Sequence, residues 1–216
     1  MPQKRISPAQ ALILMGFFVI LAQVHGQVCG GIGRRQSLIL LALDFWYNTL
    51  SGADKNPMVR NGINALGYMC FLSGALEVAS DRPLSLFRRN PFIHVDDRSR
   101  LDKWLLIIAS IIFSTVHLQD LYDQRGDSIR GRRTLPLVIG DAPARWMVAV
   151  PMLFWGVACP LFWHLTAEIF VVSLSLACIV ACRVLAMRTE ENDRTTFLFW
   201  NCWISMIYIM PLAAER

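Results

Sequence analysis

The chain contains few charged residues, and this scarcity excludes an ordinary soluble domain. Lys, Arg, Asp and Glu make up 17% of its 216 residues, whereas soluble domains carry roughly 25%. Hydrophobic residues make up 55%, and the charges cluster between long apolar runs. This pattern is typical of a multi-pass membrane protein, because each membrane-spanning helix needs about 20 mostly apolar residues.

The chain also offers little from which disulfides, a zinc site or a nucleic-acid interface could be built. Its six cysteines lie mostly within apolar runs and show no paired spacing, so we interpret them as small core residues. The net charge of +5 is modest and indicates basic loops near lipid headgroups, with no nucleic acid as partner. No small-residue cleavage site follows the first apolar run, so we expect no signal peptide.

The apolar runs predict an all-α polytopic transmembrane helix bundle with about seven spans, in a single domain of residues 1–216. The spans are expected at residues 9–23, 37–50, 60–79, 103–119, 145–163, 166–187 and 195–212. Residues 80–102 are expected to form a polar loop outside the membrane, held by salt bridges of mixed sign. We therefore expect a multi-pass protein surrounded by membrane lipid.

An acidic stretch is the most distinctive feature of the polar segments. Asp120, Asp123 and Asp127 recur at i, i+3 and i+7, which on a helix would place all three carboxylates on one face. Neighbouring carboxylates repel one another unless a cation lies among them, and hard oxygen ligands suit Mg²⁺. Arginines at 125, 130, 132 and 133 follow and could bind phosphate oxygens, which indicates a site for a metal-bound diphosphate. The alternative is a solvated loop of mixed charge between two membrane helices.

Residues 117–127, together with Gly-Arg-Arg-Thr-Leu-Pro at 131–136, resemble the second aspartate-rich motif of the UbiA superfamily. These proteins are intramembrane prenyltransferases and related terpene cyclases, and the resemblance is strongest to their fungal branch. Residues 60–67 resemble the helix that precedes this motif. The resemblance implies that Asp120, Asp123 and Asp127 are catalytic Mg²⁺ ligands, directly or through water. It also implies that Arg132 and Arg133 contact the diphosphate, with lipid phosphate as the alternative partner.

The resemblance adds two candidate substrate-binding residues. Asn64 resembles a polar residue that faces the substrate cavity, with a helix–helix hydrogen bond as the alternative. His117 lies one turn before Asp120 and either touches the site or is packed and hydrogen-bonded. Asn48 and Asp54 fall on the same side of the membrane as the acidic stretch and could line the mouth of the site, with helix capping as the alternative for Asp54.

One part of the family pattern has no good copy in this chain. The superfamily has nine membrane helices and two aspartate-rich motifs, of which the first is followed by an Arg-Pro element. Residues 2–10 resemble the segment just after that element, so the seven spans are expected to correspond to helices three to nine of the family. We therefore expect an N-terminally truncated member that lacks two helices and half of the metal site.

The resemblance implies a Mg²⁺-dependent enzyme that ionises a prenyl diphosphate inside a dry, apolar cavity. In the first interpretation it is a membrane prenyltransferase of isoprenoid or secondary-metabolite biosynthesis. Such an enzyme transfers the isoprenoid to a small acceptor, which is aromatic or of another kind. In the second it is a terpene cyclase that needs no acceptor. The third is an inactive truncated relative that binds a lipid or a partner, because activity is expected only if the missing motif is supplied.

Aromatic side chains are candidates for stabilising the carbocation through their ring faces. For each of them, packing or contact with lipid is the alternative. The candidates are Trp155, Phe162, Trp163, Phe197, Phe199, Trp200 and Trp203.

Overall fold

The computed structural model describes residues 6–81, 83–84 and 95–214, and its regular structure within these ranges is entirely helical. A five-residue π-helical turn, Phe45–Thr49, follows the second helix. The α-helices are α1 (Pro8–Val28), α2 (Arg34–Asp44), α3 (Gly52–Lys55), α4 (Pro57–Ser80), α5 (Val95–Thr115), α6 (Leu118–Leu121), α7 (Gln124–Ile129), α8 (Leu135–Ile139), α9 (Asp141–Phe162), α10 (Ala167–Ala186) and α11 (Glu190–Ala214).

Six of these helical segments are long and apolar enough to cross a membrane, counting only the part of the chain that the structure describes. They are α1, α4, α9, α10, α11 and the continuous stretch Arg100–Leu121, and they match six of the seven predicted spans. The segment predicted at 37–50 differs, because α2 has only 11 residues, or about 17 Å of helix. The all-α polytopic architecture is confirmed.

The loop predicted at 80–102 is wrong in its second part. The backbone from Val95 onward is already helical and belongs to α5, so the fourth predicted span begins within this helix and not at its start. Residues 82 and 85–94 lie outside the described residues, as do residues 1–5 of the segment that resembles the family's Arg-Pro region. Six of the nine charged residues of this loop lie at positions 82, 88–89 and 96–98, whose side chains are outside the described part of the structure, so its salt bridges stay a prediction.

The chain folds as two compact units, one formed by Met1–Phe45 with Leu66–Leu106 and the other by Trp46–Ala65 with Ile107–Arg216. The prediction that residues 1–216 form a single domain stays a prediction. Each unit has its own buried polar anchor, and every predicted site residue lies in the second unit.

In the first unit the anchor is Glu77, whose side chain is 2% exposed. Its carboxylate accepts hydrogen bonds from Gln36 Nε2 at 2.8 Å, from the backbone of Gly33 at 2.8 Å and from the backbone of Leu84 at 2.9 Å. Arg35 Nη2 lies 3.1 Å from the same group. Gly33 has φ 69°, a conformation that favours glycine. Glu77 therefore joins the beginning of α2 to the end of α4.

In the second unit the anchor is Arg145, which is 1% exposed. Its guanidinium pairs with Asp193 through two parallel hydrogen bonds, Nη1 to Oδ1 at 2.8 Å and Nη2 to Oδ2 at 2.7 Å. Nε donates to Asp141 Oδ2 at 2.7 Å, and Nη1 also donates to Val184 O at 2.9 Å. One side chain therefore joins α9, α10 and α11, and the three helices hold a fixed register at this end.

The same helices approach closely further along their length. Gly156 of α9 lies against α10, where an added Cβ would meet Ala177 Cβ at 2.6 Å. Small residues let membrane helices pack backbone to backbone, where contact without water gains dispersion energy. The core around them is filled by large apolar side chains that include Ile108, Ile111, Met152, Trp203 and Ile207.

Candidate functional site

The acidic stretch folds into two short helices rather than one. Helix α6 ends at Leu121 and α7 begins at Gln124, and Asp123 lies at the break with φ −113° and ψ 16°. The prediction that all three carboxylates share one face of a continuous helix is therefore wrong. Asp120 and Asp127 are each 1% exposed, whereas Asp123 is half-buried. Each buried carboxylate pairs with a different arginine.

Asp120 forms a buried ion pair with Arg60, which lies near the start of α4. Arg60 Nη2 donates to Asp120 Oδ1 at 2.7 Å, and the two side chains are 7% and 1% exposed. The guanidinium also lies over the ring of Tyr47, 5.6 Å from its centroid. A buried charge without a partner costs several kcal/mol, so each charge holds the other in place. Arg60 was not predicted as a site residue, although an arginine at the edge of an apolar run is a signal of a buried partner.

Asp127 pairs with Arg132, and Arg132 links it to Asp54 of α3. Arg132 Nη1 donates to Asp127 Oδ1 at 3.3 Å, and its Nε donates to Asp54 Oδ1 at 2.9 Å. The backbone N–H of Arg133 donates to Asp54 O at 2.7 Å, and the Arg133 side chain is exposed. Capping by Asp54 is wrong, because Asn56 caps α4 by accepting a backbone N–H at 2.8 Å. The loop before α4 is therefore held beside the acidic segment.

Each buried carboxylate keeps one oxygen without a hydrogen-bond partner among the described residues. These atoms are Asp120 Oδ2 and Asp127 Oδ2, and Arg60 likewise keeps Nε and Nη1. The two carboxylates also interact electrostatically with one another. Negatively charged oxygens are the ligands that Mg²⁺ prefers, and unpaired guanidinium N–H groups match phosphate oxygens.

This donor set fits a divalent cation that shares its ligands with a diphosphate. Within the ranges 6–81, 83–84 and 95–214, no group of three or more acidic, histidine or cysteine side chains converges on one point. The remaining ligands of a hexacoordinate Mg²⁺ would therefore come from phosphate oxygens or water, as is usual for this ion.

Asp123 turns its carboxylate back onto its own helix. It lies against Gly126, where an added Cβ would stand 3.1 Å from Asp123 Cγ and closer still to one of its oxygens. The backbone N–H of Asp127 donates to Asp123 O at 2.8 Å. A side chain at position 126 would make the Asp123 carboxylate turn away, so its present position depends on Gly126.

The two predicted substrate-binding residues outside the acidic motif make other contacts. His117 is buried, and its Nε2 donates to Ala144 O at 3.2 Å. Asn64 is half-buried, and its Nδ2 has no partner among the described residues. The neighbouring Asn61 donates through Nδ2 to Phe113 O at 3.1 Å. The hydrogen bonds and ion pairs described for these side chains do not link them to Asp120 and Asp127, the two buried carboxylates that we call the acidic pair. Their roles toward substrate stay predictions.

A row of aromatic rings runs from the break in the acidic segment into the core. The Tyr122 and Phe197 rings are 5.9 Å apart, and Phe197 stacks on Trp200 at 5.4 Å with an interplanar angle of 13°. Trp200 Nε1 donates to Thr115 Oγ1 at 3.0 Å, which fixes the buried indole. Two of the seven predicted rings thus lie near the motif, joined by Tyr122, which was not predicted. The others pair elsewhere or fill the core: Trp155, Phe162, Trp163, Phe199 and Trp203.

Two tyrosines border this region, and both phenols are neutral at neutral pH. Burial raises the pKa of Tyr47 above its usual value, although the neighbouring Arg60 opposes the shift. Burial likewise raises the pKa of Tyr122, against the effect of Arg194, whose guanidinium lies 5.2 Å from the ring centroid. Neither phenol therefore adds negative charge to the acidic pair.

Comparison with known proteins identifies relatives along the whole chain. Fumagillin beta-trans-bergamotene synthase of Aspergillus fumigatus is 26% identical over 98% of this chain and 68% of its own length. A diterpene cyclase of Hericium erinaceus is 31% identical over 46% of this chain and 33% of its own length. A polyprenyl transferase of the same fungus is 34% identical over 44% of this chain and 34% of its own length.

The chain spans about two thirds of the first relative, and the alignments to the other two cover about a third of theirs. No solved structure matches the chain. Residues 1–203 match the UbiA prenyltransferase family, which confirms the resemblance carried by the aspartate-rich motif. The chain therefore belongs to the UbiA prenyltransferase family.

Proposed function

We propose that this protein binds the diphosphate group of an isoprenoid at the acidic pair, in a Mg²⁺-dependent manner, and ionises the isoprenoid. One observation carries the proposal. Asp120 and Asp127 are buried with unpaired oxygens, next to an arginine whose unpaired nitrogens are also buried. Burying such groups without partners is costly, and a ligand that carries both cations and phosphate oxygens would satisfy them together.

The carboxylates and arginines of the site would have different roles in this reaction. Asp120 and Asp127, with Asp123 at the break, would hold the ion, and bound Mg²⁺ would neutralise the negative charge of the diphosphate leaving group. Arg60 and Arg132 would donate N–H groups to the phosphate oxygens. When the allylic C–O bond breaks, its electron pair leaves on the diphosphate oxygen and the carbon becomes a cation.

The aromatic row supports the second half of the reaction. Ring faces carry the negative part of the aromatic quadrupole and attract a cation within about 6 Å of the centroid. The stacked pair of Phe197 and Trp200 begins beside Tyr122, which directly precedes Asp123. An apolar chain whose diphosphate is held at the acidic pair would extend along these rings, where little water can reach the cation.

Cyclisation is the outcome that we favour for the cation. The relative aligned over 98% of the chain is named a bergamotene synthase, and a second relative is named a diterpene cyclase. In a cyclase an internal double bond captures the cation, and loss of a proton then yields a terpene hydrocarbon. The polyprenyl transferase relative favours the second candidate, prenyl transfer, in which an acceptor attacks the cation and releases its own proton.

Product analysis of the purified chain in lipid nanodiscs tests both candidates. Prenyl diphosphates of several chain lengths would be supplied with Mg²⁺, with and without aromatic acceptors. A cyclic hydrocarbon or cyclic terpene alcohol formed from the diphosphate alone supports cyclisation, whereas a product formed only with an acceptor supports transfer. Absence of diphosphate release from a folded chain overturns the proposal and leaves a non-catalytic relative.

Two variants make the test specific to the site. Asp120→Asn removes the charge of one buried carboxylate and should abolish product formation. Glu168→Gln changes an exposed carboxylate in the first turn of α10 and should leave product formation unchanged.

A further inference from the structure

The side chain of Gln124 forms hydrogen bonds across the break between α6 and α7. Its Nε2 donates to Leu121 O at 3.1 Å and to Asp141 Oδ1 at 2.8 Å. The first contact joins the last turn of α6 to the first turn of α7, and the second joins both to the start of α9. One amide nitrogen therefore uses both of its hydrogens across the break at which Asp123 lies.

The acceptor of this contact is itself anchored. Asp141 Oδ2 accepts from Arg145 Nε at 2.7 Å, and Arg145 is held by its two parallel hydrogen bonds to Asp193 of α11. The path from Gln124 to Asp193 thus consists of side-chain contacts of 2.7–2.8 Å. Charge-assisted contacts of this length are the strong ones, so Gln124 is attached to a rigid corner of three helices.

The beginning of α11, which contains Asp193, also contacts Tyr122, the residue that precedes Asp123. Arg194, which follows Asp193, lies over the ring of Tyr122 at 5.2 Å from its centroid. Tyr122 also packs on Phe197, one turn further along α11. Residues 122 and 124 are therefore both connected to the beginning of α11, one through a ring contact and the other through the polar chain.

We propose that Gln124, Asp141 and Arg145 are positioning residues that set the separation of Asp120 and Asp127, and thereby the affinity of the pair for a divalent cation. The inference rests on the proposed function, because it assigns these residues to the same metal site. None of them needs to touch the ion or the diphosphate. They act through the backbone of α6 and α7, on which the two carboxylates stand.

Gln124→Met tests the inference without breaking the buried ion pair of Arg145. Methionine has nearly the same length and volume as glutamine but donates no hydrogen bond, so both contacts across the break are lost. Gln119→Met is the matched control, because it makes the same change on α6 at a residue outside the chain of contacts. Adding Asp141→Asn to Gln124→Met should cause little further loss of Mn²⁺ affinity if the two residues act as one unit.

Three quantities would be measured on the full chain in nanodiscs. Hydrogen exchange of residues 118–131 reports on the break between α6 and α7. The amide of Asp127, bonded to Asp123 O at 2.8 Å, should exchange about tenfold faster in Gln124→Met. Electron paramagnetic resonance with Mn²⁺ as probe, without any diphosphate, should show an affinity about tenfold weaker. Global unfolding should change little, and the Gln119→Met control should resemble the wild type in all three.

The outcomes separate the inference from the function on which it rests. Exchange and Mn²⁺ affinity that both stay at wild-type values in Gln124→Met overturn the inference alone. Faster exchange with unchanged Mn²⁺ affinity, or a uniform loss of global stability, also overturns it, because the contact would then be structural only. A wild-type chain that binds no Mn²⁺ refutes the proposed metal site, and the inference falls with it.

Discussion

Replacing Arg60 with methionine is expected to lower the free energy of unfolding by about 3–5 kcal/mol. Arg60 and Asp120 are 2.7 Å apart and almost fully buried. Two unit charges at that distance attract each other by about 6 kcal/mol at an effective dielectric constant of about 20. Part of this lost attraction is offset, because folding of the variant no longer has to desolvate a guanidinium. The methionine side chain also replaces much of the apolar stem of the arginine. Chemical unfolding in mixed micelles, followed by circular dichroism, measures the change.

A second variant separates charge from packing. In Arg60→Met/Asp120→Asn neither side chain is charged, so the unfolding free energy should return to within about 1 kcal/mol of the wild type. Diphosphate release should be lost in the double variant, because the carboxylate charge of Asp120 is gone. If Arg60→Met alone is as stable as the wild type, or if the double variant is no more stable than the single one, the reasoning about a buried ion pair is refuted.

Three further predictions follow from the same region. Gly126→Ala should displace the Asp123 carboxylate and lower the rate of diphosphate release by about 100-fold, with unchanged circular dichroism; full activity would contradict a role for Asp123 in holding the ion. Phe197→Leu should lower that rate by about tenfold and alter the products seen by mass spectrometry; an unchanged rate and product profile would exclude a role for the ring. Because burial raises the pKa of both Tyr47 and Tyr122, their effect on the unfolding free energy should be constant up to about pH 9 and turn destabilising above about pH 10. Phenolate absorbance that appears below pH 10 in the folded protein would contradict this.

The membrane helices were predictable from sequence because hydropathy is a local property. Runs of apolar residues identified α9, α10 and α11 to within a few residues of their ends. The segment after Gly33 was harder, because its apolar run continues into the π-helical turn Phe45–Thr49 and the break before Gly52. The length of the apolar run therefore predicted a membrane span at residues 37–50, where the α-helix has only 11 residues.

The candidate site was only half predictable, for a reason that concerns sequence distance. Spacing drew attention to Asp120 and Asp127, which lie within one motif. Arg132, the partner of Asp127, lies within the same motif, but Arg60, the partner of Asp120, lies 60 positions upstream. The pair of Arg145 and Asp193, which fixes the neighbouring helices, likewise spans 48 positions. Pairings of this kind depend on which helices pack together, which periodicity does not encode. An arginine at the edge of an apolar run, Arg60 or Arg145, was the available signal in both cases.

The break at Asp123 was missed for a different reason. An i, i+3, i+7 spacing predicts one helical face only if the helix is continuous. Here Gln124 satisfies the carbonyl of Leu121 with its side chain, which helps to end α6 and allows α7 to start in a new direction. The competing interaction is a side chain that bonds to the backbone, and such contacts favour turns over helix interiors.

Mg²⁺-dependent release of diphosphate by the purified chain tests the central claim most directly. Prenyl diphosphate would be supplied to the wild type, to Asp127→Asn and to Glu168→Gln in lipid nanodiscs, across a titration of Mg²⁺. We predict release that rises with Mg²⁺ in the wild type and in Glu168→Gln and that is abolished in Asp127→Asn. Release that is independent of Mg²⁺, or that persists in Asp127→Asn, would contradict the assignment of the buried acidic pair.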